Sequence, residues 1–250
     1  MIHFVGAGPG AADLLTVRAT RLIAEADVVL YPGTYLDPEV LAHAGARARL
    51  VDTQRLDLDQ ITRLMVQADR QGLQVVRLAS GDLSLYSALH EQTRRLDAAG
   101  AAWDCTPGVP AYAAAAALVG RELTVPLLAQ SVVLTRTQAR STAMPEGERL
   151  EAFAATGATL VLHLTITRCR ELMERLLPSH GADCPVVVVH RASQPAELVL
   201  RGTVADIAEQ VESAGLRQAA VVLVGRALAA EQGGESFLYD PTRERRGVVG

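Results

Sequence analysis

Ile2-His3-Phe4-Val5-Gly6-Ala7-Gly8-Pro9-Gly10-Ala11 is the stretch from which the rest of the chain is read. A short, mostly apolar run enters a glycine-rich turn. Beyond it, residues 11–24 place Leu14, Leu15, Ala19, Leu22 and Ile23 on one helical side. A strand feeding a helix through such a turn is the first half of a βαβ unit, which requires a right-handed crossover and a parallel sheet. The turn also satisfies the dinucleotide pattern G-x-G-x-x-G/A. That pattern needs an acidic residue about twenty positions on, at the end of the second strand, to hold a ribose. Here the second strand, residues 27–30, runs into Tyr31-Pro32-Gly33, and Pro9 removes a backbone donor from the loop. Three readings stay open: a nicotinamide or flavin site, a tight turn with no ligand, and the glycine-lined edge of an active-site cleft. The missing carboxylate counts against the first.

The alternation continues outward. Residues 47–51, 73–79 and 102–105 read as strands, and residues 58–71, 85–98 and 111–119 as helices. In the second half, strands are expected at 131–134, 159–164, 186–190, 197–202 and 219–224, with helices at 148–155, 168–177 and 204–214. The runs 186–190 and 197–202, joined through Gln194-Pro195, read as antiparallel neighbours, which makes that sheet mixed. Residues 120–130 lack a strong period and include Pro126. The expected organisation is an N-terminal α/β domain over residues 1–122, a linker over 123–130, a C-terminal α/β domain over 131–228 and a tail over 229–250.

Composition removes whole classes of chemistry. All 24 basic residues are arginine, and the chain contains neither lysine nor asparagine. A Walker A loop, a pyridoxal Schiff base and a lysine general base are therefore excluded, as is N-glycosylation. Any bound anion must be held by guanidinium forks, backbone amides or helix N-termini. A net charge of −4 and 4% aromatic residues argue against nucleic-acid binding. Cys105, Cys169 and Cys184 have no C-x-x-C spacing and read as buried thiols in a reducing compartment. The six histidines show no metal-ligand spacing, so no metal is expected. No apolar stretch approaches the roughly 20 residues needed to span a bilayer, which points to a cytoplasmic protein without a membrane partner.

Two further corners resemble the first. Ser80-Gly81-Asp82-Leu83-Ser84-Leu85-Tyr86 follows the fourth strand, and Thr106-Pro107-Gly108-Val109-Pro110-Ala111 follows the fifth. Ligands of open α/β sheets bind beyond the carboxyl ends of the strands. Asp82 suits either of two tasks there: capping the following helix, or accepting bonds from an ammonium or ribose.

Taken together, the three corners resemble the motifs of the tetrapyrrole (corrin/porphyrin) methylase superfamily. Val186 to Ser193 and Gln218 to Gly225 extend the likeness, which covers residues 1–228. Thr135-Arg136-Thr137-Gln138-Ala139-Arg140-Ser141-Thr142 and Arg77-Leu78-Ala79-Ser80-Gly81-Asp82 resemble the branch that methylates C-11 of precorrin-4 in cobalamin biosynthesis. Leu83 departs from the proline usual after the aspartate. The resemblance implies two α/β domains, the first with a mainly parallel sheet and the second mixed, with the active-site cleft between them. It also implies a homodimer and S-adenosylmethionine as cofactor, released as S-adenosylhomocysteine. By motif, Pro9, Gly81, Asp82, Leu85, Tyr86, Pro110 and Ala111 correspond to cofactor-binding positions, and by strand alignment so do Leu164, Ala192 and Ala220.

A tetrapyrrole substrate is a polycarboxylate, and its acetate and propionate arms suit guanidinium forks. Arg136, Arg140 and Arg191 are the candidate clamps, with Gly8 beside the substrate. Proton loss from the ring calls for a base, for which Asp13, His90 and Tyr112 are candidates. Other tetrapyrrole methylases, acting on uroporphyrinogen III or cobalt-precorrin-4, stay open. So do a nucleotide-dependent oxidoreductase and a non-catalytic nucleotide-binding regulator.

Overall fold

A computed structural model describes residues 1–33, 36–137, 143–229, 234–237 and 242–243. By internal contacts the chain divides into two compact units, Met1–Leu118 with Arg191–Glu197, and Val119–His190 with Leu198–Gly250.

The first unit runs β1 (Ile2–Gly6), α1 (Val17–Glu25), β2 (Val28–Tyr31), α2 (Pro38–Leu41), β3 (Arg49–Asp52), α3 (Leu58–Arg70), β4 (Val75–Ala79), α4 (Leu89–Ala98), β5 (Trp103–Thr106) and α5 (Ala111–Val119). Its sheet has the order β3-β2-β4-β1-β5, and every pair is parallel, as the alternation required. A parallel sheet is apolar on both faces because its crossovers cover both. On one face Ile2, Phe4, Leu30 and Val75 pack with Ile61 and Met65 of α3 and Leu96 of α4. On the other, Val5, Val29, Val76 and Leu78 pack with Ala19 and Ile23 of α1 and Val40 of α2.

The second unit contains β6 (Val132–Arg136), α6 (Leu150–Ala154), β7 (Thr159–His163), α7 (Cys169–His180), β8 (Pro185–His190), β9 (Leu198–Thr203), α8 (Ile207–Ser213) and β10 (Ala220–Val224). The order is β6-β7-β10-β8-β9, with β6 and β7 parallel and the remaining pairs antiparallel. The sheet is mixed, and β8 and β9 are the expected antiparallel neighbours. Leu160, Leu162, Val186, Val188 and Val222 pack there with Leu172 and Leu176 of α7 and Ile207 of α8. Leu123 is buried, and its carbonyl accepts the Thr159 hydroxyl at 2.7 Å.

Two helices start later than their periodicity suggests. The helix expected from residue 11 opens as a single 3-10 turn, and the α-helix waits for Thr16, whose hydroxyl accepts from Ala19 N at 3.1 Å. The helix expected from residue 85 begins at Leu89, because local bonds divert the chain between Asp82 and Ala88. Cys169 and Cys184 are buried, but Cys105 is exposed, since β5 lies at the sheet edge.

The ends of β1, β4 and β5 meet glycine on glycine. A Cβ on Gly6 would sit 2.7 Å from Gly108 Cα and 2.9 Å from Gly81 O, and one on Gly108 would sit 2.7 Å from Gly6 C. Real side chains do not approach backbone that closely, so any residue but glycine must push the strands apart. Gly108→Ala is expected to cost about 3 kcal/mol in urea unfolding. Gly147→Ala is expected to be near neutral, because nothing lies within 4 Å of the added carbon.

Candidate functional site

The glycine junction fixes where three loops leave the first sheet. Gly8 and Gly81 form an antiparallel bridge, with Gly81 N donating to Gly8 O at 2.7 Å and Gly8 N to Gly81 O at 3.1 Å. Both have positive φ, +74° and +70°. A Cβ on Gly81 would lie 3.6 Å from Ala111 N and 3.9 Å from Pro110 Cα. Gly8, Pro9, Gly81, Asp82, Pro110 and Ala111 thus come together at the carboxyl edge of one sheet, although up to about a hundred residues separate them in sequence.

Asp82 is the charged group of this edge. One carboxylate oxygen accepts from the backbone N–H and the hydroxyl of Ser84, and the other accepts from Gly108 N at 2.9 Å. Partial burial would raise its pKa, but these bonds outweigh burial and hold it below the ordinary aspartate value. It is therefore ionised at neutral pH. It caps no helix, because α4 begins seven residues later, and instead ties the β4 loop to the β5 loop. Leu85 is half-buried and Tyr86 is exposed in the same turn, where Tyr86 and Ala88 both take φ +54°. A left-handed residue with a side chain costs roughly 1–2 kcal/mol, so the turn is held in place by its surroundings.

A fourth segment joins this unit. Arg191–Glu197 leaves β8 and lies against the glycine turn: Gln194 Nε2 donates to Pro9 O at 2.9 Å, and Ala11 N donates to Ser193 Oγ at 3.1 Å. A Cβ on Gly10 would lie 2.9 Å from Gln194 Cδ, so Gly10 is needed for this contact. Arg191 and Ala192 belong to the segment. Ala192 is buried, while Arg191 is half-buried, has φ +49° and forms no salt bridge among the described residues.

In the second unit, register places four further positions along one edge of the mixed sheet. Arg136 closes β6 opposite His163, which closes β7, and His190 closes β8 opposite Ala220, which opens β10. Just beyond these ends, Leu164 and Ala219 take φ +58° and +53°. Leu164 is 68% exposed, unusual for a large aliphatic side chain. Thr165, next to it, is buried, and its hydroxyl has no protein partner among the described residues. Strained backbone, an exposed leucine and an orphaned hydroxyl at one sheet edge are features that functional sites collect.

The profile of the Tetrapyrrole (Corrin/Porphyrin) Methylases matches residues 1–208. The chain belongs to the tetrapyrrole methylase family. It is 54% identical over 244 residues to the precorrin-4 C(11)-methyltransferase of Rhodococcus erythropolis, covering 98% of each chain. Among solved structures, a cobalt precorrin-4 methyltransferase of cobalamin biosynthesis has TM-score 0.88 at 36% identity, over 91% of this chain and 95% of that one. The Thermus thermophilus uroporphyrin-III C-methyltransferase complexed with S-adenosylhomocysteine has TM-score 0.76 at 29% identity, over 91% and 98%.

In this methylase the proton-accepting candidates fare unevenly. Asp13 and His90 are exposed, and neither side chain has a hydrogen-bond partner among the described residues. Tyr112 stands half-buried in the first turn of α5. Arg140 lies outside the described residues. Nothing in the sequence marks Thr165, whose interest rests on having no partner among the described residues, or His163. The His163 imidazole has its pKa lowered by burial and closes β7 beside Arg136 in register. Among the described residues no group of three His, Cys, Asp or Glu is placed to hold a metal ion.

Asp82 also gives the methylase a pH signature. A carboxylate whose pKa is lowered by folding contributes its full stability above the unfolded value and loses it as pH falls toward the folded one. Wild-type protein is expected to lose stability faster than Asp82→Asn below about pH 4 in acid titrations followed by circular dichroism. Parallel curves would show that the Ser84 and Gly108 bonds do not discriminate the ionised form.

Proposed function

We propose that this chain transfers the methyl group of S-adenosylmethionine to C-11 of precorrin-4, giving precorrin-5 and S-adenosylhomocysteine, in cobalamin biosynthesis. The observation that carries the reading is the 54% identity, over 98% of both chains, to a precorrin-4 C(11)-methyltransferase. The cobalt precorrin-4 methyltransferase shares 36%, which favours the metal-free substrate. A homodimer in the cytoplasm is part of the same reading. No helix among the described residues is long and apolar enough to cross a membrane.

The residues at hand fit the cofactor. Asp82 is ionised and only partly buried, so its carboxylate can attract the ammonium of a methionine. In the second unit, exposed Leu164 offers an apolar surface for an adenine, and the Thr165 hydroxyl has no protein partner among the described residues. When bound, S-adenosylmethionine supplies an electrophilic sulfonium methyl. The chain supplies position: Gly81 and Asp82 hold the methionine end beside Pro9, Pro110 and Ala111, while Arg136 and Arg191 hold carboxylate arms of the ring. Fixing the two reactants removes several kcal/mol of orientational cost, of order 7 or more in well-aligned cases.

Incubation with labelled S-adenosylmethionine and, separately, precorrin-4, cobalt-precorrin-4 and uroporphyrinogen III tests the proposal, with NMR locating the methyl. Label at C-11 of precorrin-4 is the expected result. Preferential methylation of uroporphyrinogen III would overturn it. Arg136→Ala should raise the KM for the tetrapyrrole about tenfold or more, the worth of one charged hydrogen bond. Its affinity for S-adenosylhomocysteine, measured by calorimetry, should stay unchanged. An equal loss of both would remove Arg136 from the substrate side.

A further inference from the structure

Arg77 stands in the middle of β4 on the face that packs against α3 and α4, where it pairs in register with Phe4 and Leu30. Burial pulls its pKa down to about 10, so it keeps its proton at neutral pH, and no acidic side chain offsets the charge among the described residues. Its Nε donates to Gln92 Oε1 at 3.1 Å, and one terminal nitrogen donates to Thr53 Oγ at 3.1 Å. Thr53 in turn donates to Tyr31 O at 2.9 Å, which anchors the guanidinium to the end of β2.

A guanidinium has only donors, so the Gln92 amide must turn its oxygen toward Arg77. That fixes the direction of Nε2, which donates to Ala88 O at 3.1 Å and Ser87 O at 3.4 Å. Gln92 is 2% exposed, so neither end of the amide has bulk water as an alternative partner. These two carbonyls belong to the turn that carries left-handed Tyr86 and Ala88 and begins at Asp82. A glutamate at this position would pair better with a buried cation, but it would have no N–H for the turn. An amide serves both tasks, as an acceptor for Arg77 and a donor to the strained carbonyls.

We propose that Arg77 and Gln92 form a relay that positions the turn over residues 83–88, and with it Asp82, for binding the methionine end of S-adenosylmethionine. Neither residue touches the reacting atoms, so both are positioning residues. The inference rests on the cofactor reading above.

Gln92→Glu separates the relay from simple packing. The substitution gives Arg77 a counter-charge, which favours the fold, and replaces the donor to Ser87 and Ala88 with a second acceptor. Gln92→Met is the companion, removing the donor without repulsion. Both variants are expected to bind S-adenosylhomocysteine about tenfold more weakly by calorimetry, the worth of about one hydrogen bond. The KM for S-adenosylmethionine should rise in step, with little change in kcat. Amide hydrogen exchange over residues 83–88 should quicken in the ligand-free protein, while Gln92→Glu keeps a melting temperature at or above wild type. Unchanged affinity and unchanged exchange in both variants would overturn the relay. So would affinity losses that merely follow the melting temperature. Wild-type protein that fails to bind S-adenosylhomocysteine would instead sink the cofactor reading, and the relay with it.

Discussion

Gly6 and Gly108, with the Gly81 carbonyl against both, bring the ends of β1, β4 and β5 to distances that leave no space for a methyl group on either. This contact has two consequences. It stacks the loops after β1, β4 and β5 directly on one another, so that Gly8 and Gly81 bond reciprocally through their backbones. It also brings Gly108 N within reach of the Asp82 carboxylate, which then ties the β4 loop to the β5 loop. The bridging of the site's loops follows from this close approach.

Each of the two units accepts local conformational cost in its loops. Tyr86, Ala88, Leu164, Arg191, Ser193 and Ala219 all occupy the left-handed region without being glycine. They fall in the turn between β4 and α4 and at the strand ends of one edge of the mixed sheet. Strained conformations persist only where neighbours over-determine them. Ser193 shows how: its N–H donates to Glu197 at 2.6 Å, and its hydroxyl accepts from Ala11 in the glycine turn. The strain is local to the loops, while the sheets beneath them are regular.

The all-arginine basic set now has several distinct uses. Arg170–Glu212, Arg168–Glu171 and Arg175–Glu151 are surface pairs in the second unit, where solvent screening leaves little net stabilisation. Arg77 is of another kind, a buried cation satisfied by an amide and a hydroxyl. Arg136 ends β6 and Arg191 follows β8, and a guanidinium at either place suits a carboxylate. The absence of lysine constrains all of them equally and distinguishes none, because composition carries no information about burial.

The sequence by itself determined the architecture. Alternating apolar runs and amphipathic stretches specify a parallel sheet, and the run at 186–190 with its neighbour at 197–202 specifies the antiparallel part of the mixed one. Three glycine-bearing corners were legible because a backbone that must approach another backbone can use only glycine there, and that need is written residue by residue. What the tertiary structure decided were partnerships across long separations. The periodicity of residues 85–98 suits a helix throughout, yet Ser84, Gly108 and Gln92 compete for the backbone and the carboxylate before it and delay the helix to Leu89. That the segment after β8 returns to the glycine turn, that Thr165 has no partner among the described residues, and that Gln92 must face Arg77 with its oxygen are likewise invisible in one dimension. Periodicity reports which face of an element is buried; only the folded chain reports which polar atoms meet there.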